Sequence, residues 1–498
     1  METKLKSFFK EYKNILAAYN MAHSTMYFDM VTIAPKKGIP ARSEMMSILS
    51  GEAFDYQMRE EHLKKLDELY AITQDADLKK ELDMYFKTLE SQRNLPKEVY
   101  VRFVKTISDA EEAWAEAKAA NDYQIFKDHL VAVIKGQKEV LSYVDKNVSD
   151  YDYMLDQYQK GMNRERYDIF FNKIKEELLP FIQRIIKEGK VIDGSPLDKT
   201  FDVEGQKAFM KEVMDFLKVD AGKTYLGESA HPFTIFFSAN ESRMTTHYYE
   251  KLIKSAILST IHEYGHALYS LQVDSKYDNT IFKDGIGMAM HESQSRFLEN
   301  YVGRSKAFWE VLYPRLQKQF PEQLENVSME QFYEMLHIAQ PSFIRTEADE
   351  LTYPIHILIR YELEKEIFDG TVDYDNLDKM WNDKYEEYLG IRPDKDSQGI
   401  LQDMHWSAAN LGYFPTYALG SAYAAQFYNA ITKQLDVEKL LLEDKFEVIR
   451  DWLKDNIHCH GAYLDADEIL LKATGETFNP DYYINYLKEK YGSVYELK

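Results

Sequence analysis

The sequence has little of what marks an exported, membrane-bound or nucleic-acid-binding protein. Its single cysteine, Cys459, excludes an intramolecular disulfide and fits a reducing compartment. It has no run of about 18 apolar residues, and charged residues interrupt its first turns, so neither a membrane span nor a secretory signal is predicted. Acidic residues outnumber basic ones by 83 to 61, and this excess would repel phosphate backbones and anionic lipids. We therefore expect a cytoplasmic protein that binds neither nucleic acid nor membrane.

Residues that break helices are also scarce, with 13 prolines and 21 glycines in 498 residues. Most of the chain carries apolar residues at spacings of three and four, which is the helical period. Between Ile169 and Lys187 these residues form one stripe, and Pro180 could kink the helix there. The sequence thus predicts a mainly α-helical protein with a large core.

Two segments interrupt the helical pattern. Residues 188–200, EGKVIDGSPLDKT, cluster Gly, Pro and Asp and predict a loop after a long helix. We expect residues 1–190 to form an N-terminal helical subdomain and residues 191–498 to form the rest of one continuous body. Residues 231–249 contain two β-branched and aromatic runs around a polar centre, which predicts one β-hairpin.

The motif that carries chemistry is HEYGH at residues 262–266, toward the end of a helical run. Two histidines four positions apart project from one face of a helix, so His262 and His266 can share a metal ion. Glu263 then points beside the ion, where a carboxylate can take a proton from water. This pattern indicates metal-assisted hydrolysis; the alternative is two ordinary histidines on a buried helix.

A metal site of this kind needs a third ligand. The loop DGIG at residues 284–287 is followed by a helical pattern that begins His291-Glu292. Glu292 is therefore the candidate ligand, and the alternative is a carboxylate that the helix dipole favours near a helix start. His291 is expected to lie either behind the ligands or against the substrate.

Five further motifs accompany HEYGH: HPF at 231–233, Arg243 with Thr245, HESQ at 291–294, IRTEAD at 344–349 and GILQDMHW at 399–406. With these motifs the sequence resembles the carboxypeptidase Taq family of metallocarboxypeptidases. The resemblance covers nearly the whole chain. Glu241 stands where the family usually has Asp in its D-x-R-x-T motif, and Phe28 stands where it usually has Trp.

The resemblance implies the release of single amino acids from peptide C-termini. It implies that His262, His266 and Glu292 hold one divalent metal ion and that Glu263 is the general base. Zinc is the expected ion because nitrogen and oxygen ligands in an open three-residue site suit it, and cobalt is the alternative.

Recognition of a free C-terminus requires a group that binds carboxylate, and the family position falls on Arg345. A guanidinium can hold a carboxylate with two parallel hydrogen bonds. The alternative is a structural ion pair with Glu347, Asp349 or Glu350. The expected partners are accordingly peptides with a free C-terminus.

The remaining candidates belong to the walls of the site. His405 and Tyr417 resemble the hydrogen-bond donors that stabilise a tetrahedral intermediate in related helical zinc peptidases, and Tyr413 is a competing phenol. His231 is expected to shape the pocket for the departing residue, and Arg243 lies on the hairpin at the wall of the groove.

The fold that the resemblance implies is a single, nearly all-helical body with a deep groove, an N-terminal helical lid over residues 1–190 and a small β-hairpin near the metal. It also implies a homodimer. Two other functions stay open. One is a helical zinc oligopeptidase that cuts internally, against which Arg345 argues. The other is a catalytically silent binding protein with a structural metal, although such sites usually have four protein ligands.

Overall fold

Helices dominate the computed structural model, which describes residues 1–497 apart from the side chains of residues 91 and 92. The α-helices are α1 Glu2–Thr32, α2 Ile39–Gln57, α3 Glu60–Ile72, α4 Ala76–Arg93, α5 Lys97–Ala120, α6 Tyr123–Ser142, α7 Asp150–Tyr158, α8 Arg164–Glu188, α9 Val203–Phe216, α10 Ile253–Leu271, α11 Met288–Arg296, α12 Lys306–Gln319, α13 Pro321–Leu324, α14 Met329–Leu336, α15 Tyr353–Asp369, α16 Leu377–Leu389, α17 Pro415–Thr432, α18 Val437–Leu442, α19 Phe446–Asn456, α20 Ala466–Thr474 and α21 Asp481–Val494. The predicted mainly α-helical class is confirmed. The long helix α8 runs through Pro180 without ending there. No helix in the described chain is both long enough and apolar enough to span a bilayer.

A small sheet has strands β1 Thr224–Glu228, β2 Thr234–Ser238 and β3 Glu241–Thr246 in the order β1-β3-β2. Strands β2 and β3 pair antiparallel and confirm the predicted hairpin, with Ile235 opposite Arg243. Strand β1 runs parallel to β3 on its other side and was not predicted. The sheet packs against α10, where the Thr246 hydroxyl donates to the carbonyl of Ala256 at 3.3 Å. The sheet thus lies beside the helix that carries HEYGH.

Helix α11 is held between α10 and α17 at distances that only glycine permits. A Cβ on Gly265 of α10 would stand 2.4 Å from the Ser295 Cα, and a Cβ on Gly420 of α17 would stand 2.6 Å from the Glu292 Cβ. Because ordinary carbon contacts lie near 3.5–4.0 Å, any side chain at either position would push α11 away. These two close approaches set the distance between Glu292 and the histidines of α10.

The hydrophobic core has a large part and a smaller N-terminal part. The smaller cluster comprises buried residues of α1, α3 and α4, whereas the main core begins at Ala110 in α5 and extends to the C-terminal helices. Helices α5 to α8 therefore pack with the main body. The predicted boundary at residue 190 stays a prediction. The buried residues of the smaller cluster are Leu5, Phe9, Tyr12, Leu66, Leu69 and Leu82.

Candidate active site

The fold brings the three candidate ligands together from two helices. Glu292 Oε2 lies 3.4 Å from His262 Nε2 and 3.5 Å from His266 Nε2, and the three ligand atoms lie within 4.8 Å of one another. Ligands at about 2.0–2.1 Å from a tetrahedral ion are separated by roughly 3.3 Å from each other. The spacing of these side chains therefore fits one small divalent cation.

The electrostatics of the cluster also favour a cation. Burial opposes the charged imidazolium of His262, but the carboxylates of Glu292 and Glu299 outweigh it and raise the pKa of His262 to about 10. Burial also opposes ionisation of Glu292, yet Arg296 and His262 hold the pKa of this carboxyl well below its usual range. The site thus keeps its carboxylate charged and attracts positive charge to the histidine nitrogens.

Glu299 lies behind His262 and was missed by the sequence analysis. It sits in the π-helical segment Phe297–Gly303, which continues α11, and its Oε2 is 2.9 Å from His262 Nδ1. Arg296 and Arg304 donate to the same carboxylate at 2.9 and 3.2 Å. A carboxylate on Nδ1 fixes the orientation of the ring and leaves Nε2 for the metal.

A second chain of contacts lies behind His266. Its Nδ1 is 3.2 Å from His291 Nδ1, and His291 Nε2 is 3.1 Å from Asp284 Oδ1. Asp284 Oδ1 also accepts bonds from Ser270 Oγ and from the amide of Gly285, at 2.7 and 2.8 Å. With Asp284 accepting from Nε2, we assign the other His291 nitrogen as the acceptor of a proton on His266 Nδ1. His291 therefore lies behind a metal-ligand candidate.

Glu263 is held by the sheet. The Thr234 hydroxyl on β2 lies 2.6 Å from Glu263 Oε2 and 3.0 Å from the Glu263 carbonyl oxygen. Glu263, which directly follows His262 in the sequence, is buried. Thr234 directly follows the HPF motif at residues 231–233. Its role was missed because sequence alone does not show that β2 crosses α10 at this point.

Arg345 has a different ion-pair partner from those considered in the sequence. Its Nε and Nη2 donate to Asp403 Oδ1 at 3.1 and 2.9 Å, and Nη1 donates to the Tyr353 hydroxyl at 3.0 Å. Asp349 and Glu350 bond to other residues. A guanidinium has five N–H donors, so the bonds among the described residues leave two, one on each terminal nitrogen.

A short chain of contacts connects Arg345 to the metal-ligand candidates. Tyr353 accepts a bond from Arg345 through its hydroxyl, and its ring lies 4.7 Å from the Arg296 guanidinium. Arg296 Nε in turn donates to Glu292 Oε1 at 2.7 Å. Arg345 therefore lies near the ligand cluster.

His405, Tyr417 and Tyr413 form one cluster of neutral groups. His405 Nε2 is 3.2 Å from the Tyr417 hydroxyl, and the rings of Tyr413 and Tyr417 are 5.2 Å apart. Burial lowers the pKa of His405 to about 4, raises the pKa of Tyr417 well above its usual value and raises that of Tyr413 to about 12. All three are thus neutral at pH 7. His405 Nδ1 is buried and has no hydrogen-bond partner among the described residues.

Arg243 and His231 lie at the sheet, and the contacts of the described residues do not bring them to the ligand cluster. Arg243 pairs with Glu241 at 2.8 Å, and its guanidinium lies 4.5 Å from the Phe237 ring and 5.5 Å from the Phe28 ring. Both departures from the family pattern, Glu241 and Phe28, therefore meet at Arg243. The His231 side chain is exposed, and its carbonyl accepts a bond from Ser229.

An HExxH histidine pair, completed by a glutamate from a following helix and with a carboxylate beside it, defines a metallopeptidase. The chain belongs to the carboxypeptidase Taq (M32) metallopeptidase family, which matches residues 7–491.

Known proteins similar to this chain agree with this assignment. Carboxypeptidase 1 of Bacillus subtilis (strain 168) is 38% identical, and the match covers 100% of both chains. Thermostable carboxypeptidase 1 of Pyrococcus furiosus is 36% identical over 96% of this chain and 98% of its own. The crystal structure of an M32 carboxypeptidase from Deinococcus radiodurans R1 superposes with a TM-score of 0.96 at 30% identity, covering 99% and 100% of the two chains. The predicted family, fold class and function as a metal-dependent carboxypeptidase are confirmed.

Proposed function

We propose that this carboxypeptidase releases single amino acids through water activated at His262, His266 and Glu292. The observation that carries the proposal is the close spacing of these three side chains, whose ligand atoms lie within 4.8 Å of one another. A divalent ion held by these residues would lower the pKa of a bound water and polarise the scissile carbonyl.

Glu263 is the general base. Thr234 bonds to its Oε2, which orients the carboxylate and leaves Oε1 to take the proton of the attacking water. The same oxygen then delivers the proton to the leaving amine.

His405 and Tyr417 are the donors proposed for the oxygen that becomes negative in the transition state. Because a neutral imidazole has one N–H, their mutual contact at 3.2 Å must open for both groups to donate. Neutral donors in a buried site are effective here because they require little reorganisation as charge develops. Tyr413 packs on Tyr417 and is the alternative donor.

Arg345 receives the C-terminal carboxylate of the peptide with its two remaining N–H groups. Arg243 and His231 border the groove on the side of the sheet. These assignments follow the family resemblance, and for Arg345 the contacts through Tyr353 and Arg296 to Glu292 support it.

The test uses one N-acetylated peptide in two forms, with a free and with an amidated C-terminus, and identifies the products by mass. We expect stepwise loss from the free C-terminus and little turnover of the amide. Internal fragments would instead indicate an oligopeptidase, and no products from the metal-loaded protein would indicate a binding protein.

The Glu263→Gln variant tests the general base within the same assay. We expect kcat to fall by about 10²–10⁴-fold with metal content unchanged, because the metal ligands stay in place. Glu310→Gln, on the exposed surface of α12, is the matched control and should retain full activity. Loss of metal together with activity would remove Glu263 from the base role.

Three finer features complete the proposal. Two imidazoles and one carboxylate support zinc over harder cations, with cobalt as the alternative, and elemental analysis of purified protein distinguishes them. The family resemblance supports a homodimer, which sedimentation analysis tests. The single cysteine supports a cytoplasmic location, which cell fractionation tests.

A further inference from the structure

A single buried carboxylate, that of Asp403, is shared by two arginines. Arg345 donates to Oδ1 from Nε and Nη2 at 3.1 and 2.9 Å. Arg360 donates to Oδ2 from Nε at 2.8 Å, and its Nη2 makes an ion-pair contact with the same oxygen at 2.6 Å. The exposed fractions of the side chains are 8% for Arg345, 9% for Asp403 and 0% for Arg360. Two guanidinium groups face one carboxylate, so the cluster carries one positive charge in excess.

Arg360 is too deeply buried to touch a substrate. Its Nη1 donates to the carbonyl of His356 at 2.7 Å and lies 3.4 Å from the Tyr385 hydroxyl, while its guanidinium lies 4.5 Å from the Trp381 ring. These contacts fix Arg360 between α15 and α16. Arg360 therefore does not bond to a substrate itself, and the charged group that it contacts directly is Asp403.

The surrounding groups do not cancel the excess charge. Burial and the two arginines keep the pKa of His356 well below its usual value, so this ring is neutral. Lys118 on α5 donates to the carbonyl of Gln402 at 2.9 Å and adds positive charge near Asp403. The other nearby acid is Glu364, and burial raises its pKa to about 7, so it is only partly ionised at neutral pH.

We infer that Arg360 is a positioning residue that neutralises Asp403 and thereby leaves the charge of Arg345 to the C-terminal carboxylate of the peptide. The inference rests on the role proposed for Arg345. With one arginine facing Asp403, the pair would be neutral, and a substrate carboxylate would lose most of its attraction. Because the site is buried, water and salt only weakly screen the attraction between the excess positive charge and the substrate carboxylate. Specificity for a free C-terminus then depends on Arg360 as well as on Arg345.

The first test compares kcat and KM of wild type, Arg360→Gln and Arg360→Lys on an N-acetylated peptide with a free C-terminus. We expect Arg360→Gln to raise KM by at least about tenfold with kcat changed by less than about threefold, because it removes a charge that acts on substrate binding. Arg360→Lys keeps the charge but loses part of the guanidinium contacts, so its KM should lie between those of wild type and Arg360→Gln. An unchanged KM in Arg360→Gln would overturn the inference.

The double variant Arg360→Gln/Asp403→Asn separates charge from structure. It restores one excess positive charge on Arg345, and the amide oxygen at position 403 can still accept a bond from Arg345. We expect its KM to return toward the wild-type value. A purely structural role for Arg360 predicts that the double variant binds as poorly as Arg360→Gln or worse.

Asp403→Asn alone tests the inference if Arg360→Gln and the double variant do not fold. It adds one positive charge to the cluster, so KM for the free peptide should stay level or fall. A rise in KM would show that Asp403 serves Arg345 through structure alone and would overturn the inference. Failure of the proposed function is distinct, because wild type would then process free and amidated peptides alike.

Discussion

At the scale of single residues, each metal-ligand candidate is oriented by a group behind it. Glu299 contacts His262, His291 with Asp284 contacts His266, and Arg296 holds one oxygen of Glu292. These contacts leave one atom of each ligand directed to a common point. The preorganisation of the site therefore depends on residues outside the HEYGH motif.

The Glu299→Gln variant tests this preorganisation. The amide of this variant can still contact His262 Nδ1. It lacks the negative charge that strengthens the imidazole as a ligand and that pairs with Arg296 and Arg304. We expect metal affinity to fall by about 10–100-fold, measured by competition with a chelator. Glu310→Gln is again the matched surface control. Equal affinities of wild type and Glu299→Gln would contradict the role of Glu299.

The sequence predicted those residues whose relation is local. His262, Glu263 and His266 lie within about one helical turn, so spacing alone placed them together. The partner of Arg345 was sought among nearby acids, but it is Asp403, which reaches it through tertiary packing.

At the scale of elements, strand content was only partly predictable. The β2–β3 hairpin has two β-rich runs around a short turn, which is a local signal. Strand β1, TYLGE, is five residues long, includes a glycine and pairs in parallel, so nothing near it in sequence marks it as a strand. Its pairing with β3 depends on the fold as a whole.

Close packing of α11 against α17 leads to a prediction for Gly420→Ala. The new methyl group would stand 2.6 Å from Glu292 Cβ and 2.7 Å from its Cγ, so Glu292 or α17 must shift. We expect a loss of about 1–3 kcal/mol in the free energy of unfolding, measured with denaturant, together with weaker metal binding.

Gly492→Ala in α21 is the matched control, because a Cβ there meets nothing within 4 Å. Alanine in a helix interior is more favourable than glycine by roughly 0.5–1 kcal/mol, so this variant should be neutral or more stable, with metal binding unchanged. Similar behaviour of the two variants would show that contact with Glu292 is not the cause.

At the scale of the whole molecule, α1, α3 and α4 share a smaller core of their own within the predicted N-terminal subdomain. A cavity of about 590 Å³ lies between residues of α1 and α2 and the segment 279–284, and it reaches Asp284. Asp284 contacts His291 behind the metal site. This cavity therefore borders the contacts that lie behind His266.

Buried Glu364 connects several elements of the molecule and predicts how its stability depends on pH. Its carboxyl accepts bonds from Tyr151 on α7 at 2.8 Å, from Trp406 at 2.8 Å and from the amide of Gly412 at 2.9 Å. Burial nevertheless raises its pKa from 4.5 to about 7. Between these two values the folded protein holds a proton that the unfolded chain has released. The contribution of Glu364 to the free energy of unfolding is therefore fully present below pH 4.5. It falls by up to about 3 kcal/mol as the pH rises through 7.

The Glu364→Gln variant cannot lose this proton, and so lacks this contribution to the pH dependence. The amide changes the three hydrogen bonds and gives a constant offset in the free energy of unfolding. We expect the difference, variant minus wild type, to become more favourable by about 2–3 kcal/mol between roughly pH 5 and pH 8, measured by denaturant unfolding. The same difference for Glu310→Gln, on the exposed surface of α12, should stay flat over this range. Parallel curves for wild type and Glu364→Gln would mean that Glu364 is already ionised at pH 5, and that its three donors outweigh the cost of burial.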